Sequence, residues 1–171
     1  MTRFAAPIAA QIWDMKYRLK DAEGTPLDAS VEDTWRRIAR ALAQPEANPA
    51  AWEDKFYGAL EDFRFLPAGR IIAGAGTGRT VTLFNCFVMG TIPDSMAGIF
   101  EMLKEAALTM QQGGGIGYDF STIRPKGAAV HGVAADASGP LSFMDVWDAM
   151  CRTIMSAGSR RGAMMATMRC D

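Results

Sequence analysis

The sequence predicts an α/β protein whose first third is entirely helical. Three observations point there. Apolar residues recur at helical spacing as far as Leu60, and that period stops at the glycine- and proline-rich stretch "RFLPAGRIIAGAGTGRT". The run "TVTLFNCFVM" that follows is almost continuously apolar and rich in β-branched and aromatic residues, the habit of a parallel strand buried on both faces.

The elements follow in order. Ile8, Ile12, Met15 and Leu19 form the apolar stripe of a first helix, which the loop signal "DAEGTPLD" closes. Ser30 and Asp33 make a capping box for a second helix, whose stripe of Trp35, Ile38 and Leu42 ends before Pro45. Asn48 caps a third, with Pro49 in its first turn and Trp52, Phe56 and Leu60 turned inward. In the strand, Thr82, Phe84, Cys86 and Val88 share one face and Leu83, Asn85 and Phe87 the other.

Asp94 or Ser95 then caps a helix bearing Ile99, Met102, Leu103, Ala106 and Met110. "QQGGGIGYDFSTIRPKG" ends it and opens a long loop running to about Pro140. Ser142 and Asp145 read as another capping box, for a helix with Phe143, Val146, Trp147, Met150 and Ile154 on its stripe. "SAGSRRG" ends that helix and "AMMATMR" is the next strand. The predicted order of the second part is strand, helix, loop, helix, strand.

Composition narrows the function. At 171 residues and 49% hydrophobic, the chain amounts to about one domain with a substantial core. A net charge of −1 gives no electrostatic reason to expect nucleic acid or an anionic membrane. No apolar run approaches the ~20 residues of a bilayer span, and Gln11, Asp14 and Lys16 interrupt any signal-peptide core. Three widely spaced cysteines form neither a disulfide framework nor a zinc site, so a reduced, cytoplasmic protein is expected. His131 is the single histidine, which removes metal motifs built on paired histidines. Chemistry here would run on cysteine, carboxylate, backbone amides or a borrowed cofactor.

Taken one at a time, the motifs have two readings each. "GAGTG" and "GGGIG" match neither a Walker loop nor a dinucleotide fingerprint; they are turn glycines or places where a ligand nears the backbone. Cys86 is a small hydrophobe in a strand or a reactive thiol. Cys151 lies on its helix stripe beside Trp147 and Ile154 and reads as core, while Cys170 is uninterpretable alone. The arginines of "GSRRGA" and "IRPKG" are solvated turn charges or contacts to phosphate or nucleobase.

In combination, "NCFV…DSMAGIFEMLKEAAL…GGGIGYDFSTIRPKG…SGPLSFMDVWD…GSRRGAMM" closely resembles the large catalytic chain of ribonucleotide reductases, above all the adenosylcobalamin-dependent class II. The resemblance is strong over residues 65–171 and looser before them. It implies a helical domain, residues 1–66, followed by the first strands and helices of a ten-stranded α/β barrel, residues 67–171, with the barrel incomplete. No N-terminal ATP-cone module is apparent.

The resemblance also implies roles. Cys86 matches one half of the substrate-reducing pair, two thiols that supply two electrons by closing to a disulfide after a separate thiyl radical has taken the ribose 3′-hydrogen. Asn85, Gly114, Gly115 and Arg161 fall at substrate-binding positions. Asp94 matches an aspartate that binds the ribose of a deoxynucleoside triphosphate effector, with Arg124 near its phosphates and Gln111 and Arg160 as further effector contacts. Loop 158–163 matches the segment relaying effector identity to the substrate base, and loop 127–139 its neighbour near a dimer interface. The partners implied are a ribonucleotide substrate, the effector, a thioredoxin-type reductant and a second copy of the chain, with no nucleic acid and no membrane. Adenosylcobalamin is the implied cofactor, its site outside this chain, and no residue here is a metal ligand. By itself the chain is expected to be inactive and prone to self-association. The rival readings are a non-catalytic deoxynucleotide-binding or dimerisation module and a reductase class with a separate radical-generating subunit.

Overall fold

The computed structural model describes residues 3–130, 132, 134–154 and 163–171, and the chain divides into two compact units, Met1–Leu83 and Phe84–Asp171.

The first unit is all helix: α1 (Pro7–Lys16), α2 (Val31–Ala43), α3 (Pro49–Leu60), a single 3₁₀ turn (Glu61–Phe63) and α4 (Gly69–Gly74). The predicted capping box opens α2: Ser30 Oγ accepts from the Asp33 amide, and Asp33 accepts from the Ser30 amide at 2.7 Å. Asn48 caps α3 through the Ala51 amide, with Pro49 in the first turn. Val31, Trp35, Ile38, Ala39, Leu60 and Ala75 are buried together, with Phe56 and Leu83 packed against them.

Two expectations for this unit are corrected. The first helix ends at Lys16, leaving Leu19 outside it, and Ile8 and Met15 are exposed; Phe4 and Trp13 make the contact with the core instead. The glycine-rich stretch also contains a helix, α4, because Arg70 to Ala73 hold four helix-tolerant residues before the glycines at 74, 76 and 78 turn the chain. At Gly76, where φ is +71°, a Cβ would lie 2.8 Å from Arg37 Cγ. Turn geometry and crowding therefore explain that glycine without a ligand.

A buried ion pair missed in the sequence ties this unit together. Arg37 Nη2 donates to Asp28 Oδ2 at 3.0 Å, both side chains under 10% exposed. Asp28 also accepts from Thr34 Oγ1 at 2.7 Å and the Leu19 amide at 3.2 Å, while Arg37 donates to the Ile72 and Ala75 carbonyls. Buried charge is tolerated here because nearly every polar atom of the pair has a partner.

The second unit runs β1 (Cys86–Thr91), α5 (Met96–Gln111), β2 (Gly115–Asp119), α6 (Pro140–Thr153), β3 (Met164–Thr167). The strands form an unclosed parallel sheet in the order β1-β2-β3, with Cys86 opposite Gly115, Ile116 opposite Met164 and Gly117 opposite Met165. Ile116 and Tyr118 turn one face of the sheet into a core with Ile92, Ile99, Ala106, Met110, Phe120, Ile123 and Trp147. The Tyr118 hydroxyl donates to the Met102 carbonyl at 2.8 Å, and its ring meets Trp147 edge-on. Burial, with the Glu105 carboxylate adding to it, pushes that hydroxyl up to about 12.

A helical unit followed by parallel β/α elements is the predicted fold class, but three details differ. The central strand β2 lies within the expected long loop; its glycines hide the strand pattern while allowing close approach of its neighbours. The first strand begins at Cys86 and is buried on one face only, with Val88 97% exposed. The last helix starts at Pro140 after Gly139 at φ +84°, with no side-chain cap; Ser142 Oγ donates back to the Ser138 carbonyl, so the Ser142–Asp145 capping box does not form.

Candidate functional site

Six of the residues singled out from sequence gather at two edges of the sheet. At the edge where the strands begin, Asn85 and Cys86 lie beside Gly115: the Gly115 amide donates to the Asn85 carbonyl at 2.8 Å, and the Ile116 amide donates to the Ala163 carbonyl at 2.9 Å. Cys86 is a free, exposed thiol. The open face around it carries Val88 on β1, Gly115 and Gly117 on β2 and Met165 on β3, all placed by the strand register. The floor beneath the thiol is thus bare glycine backbone.

The three consecutive glycines have separate causes. Gly113 has φ +88° and turns the chain out of α5. At Gly114 a Cβ would lie 2.8 Å from Phe87 Cε2 and 2.9 Å from Thr109 Cγ2, so packing excludes a side chain. At Gly115 a Cβ would meet Cys86 Sγ and the Ala163 carbonyl oxygen, each at 3.2 Å, and the Asn85 carbonyl oxygen at 3.3 Å. Ala163 and Gly117 went unnoticed in the sequence; the G-x-G alternation of "GIGYD" was the one signal that could have marked a strand with a bare face.

At the edge where the strands end, Ser95 caps α5 through the Gly98 amide. Asp94 is thereby left to Arg124, whose Nε donates to Oδ2 at 2.8 Å and whose amide donates to Oδ1 at 3.3 Å. Arg124 Nη1 also reaches the Ala129 carbonyl at 3.0 Å, in a short ladder where Ala129 bridges Asp136 and the Ala137 amide donates to Ala128. Nearby, hydrogen bonds from the Ser121 hydroxyl and amide hold the Asp119 carboxyl below its ordinary value.

Asp94 and Arg124 are therefore together, as are Asn85, Cys86, Gly114 and Gly115. Gln111 is not with the first pair: it is exposed at the far end of α5, a helix about 24 Å long. Arg160, Arg161 and His131 lie outside the described residues. Among the described residues no group of three or more His, Cys, Asp or Glu is placed to hold a metal, and no helix is long and apolar enough to cross a membrane.

Comparison with known proteins finds similarity over both parts of the chain. Residues 3–80 match the family profile described as ribonucleotide reductase, all-alpha domain, and residues 84–171 the one described as ribonucleotide reductase, barrel domain. Over 158 residues the chain is 35% identical to a vitamin B12-dependent ribonucleoside-diphosphate reductase of Mycobacterium tuberculosis, covering 90% of this chain and 22% of that protein. It is 34% identical over 149 residues to a ribonucleoside-diphosphate reductase subunit alpha of Helicobacter pylori, with 87% and 18% covered. A vitamin B12-dependent ribonucleoside-diphosphate reductase of Thermoplasma acidophilum is 33% identical over 141 residues, with 82% and 18% covered. The chain thus spans about a fifth of the length of the curated relatives it matches.

Proposed function

Because the chain belongs to the ribonucleotide reductase large-chain family, we propose that it supplies one reducing cysteine and part of the specificity-effector site to an enzyme that makes 2′-deoxyribonucleotides from ribonucleotides. The single observation that carries this reading is the Cys86 thiol, exposed on a sheet face floored by Gly115 and Gly117, where a sugar ring can lie flat against the strand. A thiol meant as core filler would face Ile116 and Tyr118 instead.

In this reading Cys86 and a second cysteine, contributed by chain outside these residues, each lose a proton and together two electrons as they join in a disulfide. The substrate loses its 2′-hydroxyl as water and gains hydrogen at that carbon. Asn85, Gly114 and Gly115 border the substrate, with Arg161 assigned to its base side. A thioredoxin-type reductant reopens the disulfide. The need for that supply makes the cytoplasm the proposed compartment.

The vitamin B12-dependent relatives favour adenosylcobalamin as the source of the radical. The residues assigned roles here include no ligand for it, and none of those roles depends on it.

Asp94, Arg124 and Arg160 are assigned to an effector deoxynucleotide. Gln111 joins that site through a second copy: α5 exposes Phe100 and Leu108 on either side of Lys104, and an antiparallel pair of such helices brings one copy's Gln111 toward its partner's α5 start. A homodimer is therefore part of the proposal.

The test is Cys86→Ser in the full-length protein, with Cys151→Ser as control. The expected result is loss of deoxynucleotide formation with retained substrate binding for the first and near-normal turnover for the second. Full turnover by Cys86→Ser would remove Cys86 from the chemistry and overturn the reading of it as a reductant.

A further inference from the structure

Side chains alternate regularly along β1 only as far as Val88. Cys86 and Val88 stand on the open face, opposite Gly115 and Gly117, while Phe87 lies opposite Ile116 on the core face. The register then slips: Val88 pairs with Gly117 but Gly90 with Tyr118, so Met89 and Gly90 together oppose one residue, a β-bulge. Met89 packs against the core, and Gly90 takes φ +105°. Beyond the bulge Thr91 is exposed opposite Asp119, and Ile92 is buried at 0% exposure. Phe87, Met89 and Ile92 thus face the core, and Cys86, Val88 and Thr91 face away from it.

Cys86 and Ile92 are six positions apart, an even separation that in a regular strand puts both on one face. The strand therefore carries one residue too many to hold a thiol in the open and an isoleucine in the core. The end at Ile92 is the firmer of the two. The Ile92 amide donates to the Asp119 carbonyl at 2.9 Å, its carbonyl accepts from the Thr122 hydroxyl, and Asp94 just beyond is bound by Arg124 at 2.8 Å. A strand forced straight would turn its other end, and the thiol with it.

We propose that Gly90 is a positioning residue for Cys86: by forming the bulge it absorbs the surplus residue and keeps the thiol on the open face. This rests on the reading of Cys86 as a reductant and adds the element that aims it. The requirement at Gly90 is conformational alone, because a Cβ there meets nothing within 4 Å, whereas φ +105° is one that side-chain-bearing residues rarely adopt. It follows that removing Gly90 does less harm than replacing it. Without that residue the separation becomes odd, and a regular strand serves both ends with every remaining side chain on its present face.

The experiment compares wild type, Gly90→Val and a deletion of Gly90, all in the full-length protein. Cys86 alkylation by iodoacetamide is followed by peptide mass spectrometry, with amide exchange at Ile92 as the report on the firmer end. In Gly90→Val, alkylation is expected to slow on the order of tenfold, since a thiol turned into the core is shielded and inert. Ile92 exchange stays slow, and turnover is lost. In the deletion, alkylation and turnover are expected to return close to wild type. A glycine with a merely structural role would make the deletion at least as damaging as the substitution, and that result overturns the inference. Wild-type alkylation in Gly90→Val overturns it too, as does fast exchange at Ile92 with the thiol still reactive. Should Gly90→Val fail to fold, the deletion alone decides: a shielded thiol there refutes the role given to the bulge. Alkylation does not depend on turnover, so full turnover by Cys86→Ser would overturn the reductant reading separately.

Discussion

Arg124 binds Asp94 and Ala129 with one guanidinium: Nε donates to Asp94 Oδ2 at 2.8 Å and Nη1 to the Ala129 carbonyl at 3.0 Å. The start of α5 and the ladder around Ala129 and Asp136 are thereby held to a common point, and the two residues assigned to one effector touch before any effector arrives. Asp94→Asn tests that assignment. Both side chains are about one-third exposed, 31% and 33%, so breaking the charge pair alone shifts stability by no more than about 1 kcal/mol. The dGTP affinity of the full-length protein is expected to fall about tenfold, the worth of a charged hydrogen bond to ribose. An unchanged Kd by calorimetry removes Asp94 from the effector site.

Gly114 and Gly117 are expected to respond in opposite senses to alanine. At Gly114 the new methyl collides with Phe87 and Thr109, and overpacking of this kind costs about 1–3 kcal/mol. At Gly117 the nearest atom is Met165 Cβ at 3.9 Å, an ordinary contact, so the variant gains roughly 0.5–1 kcal/mol from a less flexible unfolded chain. Urea denaturation of the two variants decides this, and the same sign for both would mean the packing at Gly114 has been misjudged.

Alkaline pH is expected to weaken the second unit through Tyr118. Its folded hydroxyl titrates at about 12, against an ordinary value of 10.0, so between these pH values the unfolded chain has lost the proton and the folded chain has kept it. The stabilising contribution is complete below about 10 and drains away as pH rises toward about 12. Tyr118→Phe is expected to cost about 1 kcal/mol at neutral pH, for the lost bond to Met102, and to flatten the decline. Melting temperatures at pH 8, 10 and 11 for both proteins give the comparison.

Removing one member of the buried Asp28–Arg37 pair leaves an uncompensated charge, so Asp28→Ala is expected to destabilise by about 3–5 kcal/mol. Truncating the exposed Asp54, which pairs with Arg36 at the surface, is expected to change stability by under about 1 kcal/mol. Denaturation midpoints that fail to separate these two variants would place Arg37 in contact with water.

If α5 pairs with a second copy, Leu108→Glu in the full-length protein is expected to convert dimer to monomer, read by light scattering behind size exclusion. Leu108 is already 52% exposed, so its loss leaves the fold intact. A dimer that survives the charge places the interface elsewhere.

Elements with local signatures were legible in the sequence. Ser30 with Asp33 and Asn48 with Pro49 mark helix starts through bonds between near neighbours, and the α5 stripe of Ile99, Ala106 and Met110 lies buried as its spacing requires. Features settled by distant partners were not legible. β2 reads as a loop because Gly115 and Gly117 carry no strand signal, and only the flanking β1 and β3 make it the centre of the sheet. The Asp28–Arg37 pair joins α2 to the segment before it, and no local spacing announces it. At the candidate site, it was the resemblance of ordered motifs that singled out Cys86 and Gly115, while the approach of both Cys86 and Ala163 to Gly115 depends on chain 77 positions apart in sequence.

The bare centre of the sheet also orders events in time. Glycine makes β2 a weak strand by itself, so it must wait for both neighbours before its backbone is held. β1 precedes it closely, across α5, whereas β3 follows only after the loop and α6. On a ribosome adding about 5–20 residues per second, the nascent chain exposes the Cys86 thiol for seconds before Ala163 emerges to complete its surroundings. During that interval the thiol is most open to adventitious oxidation, and the order of synthesis makes the surroundings of Cys86 the part of this region that is finished last.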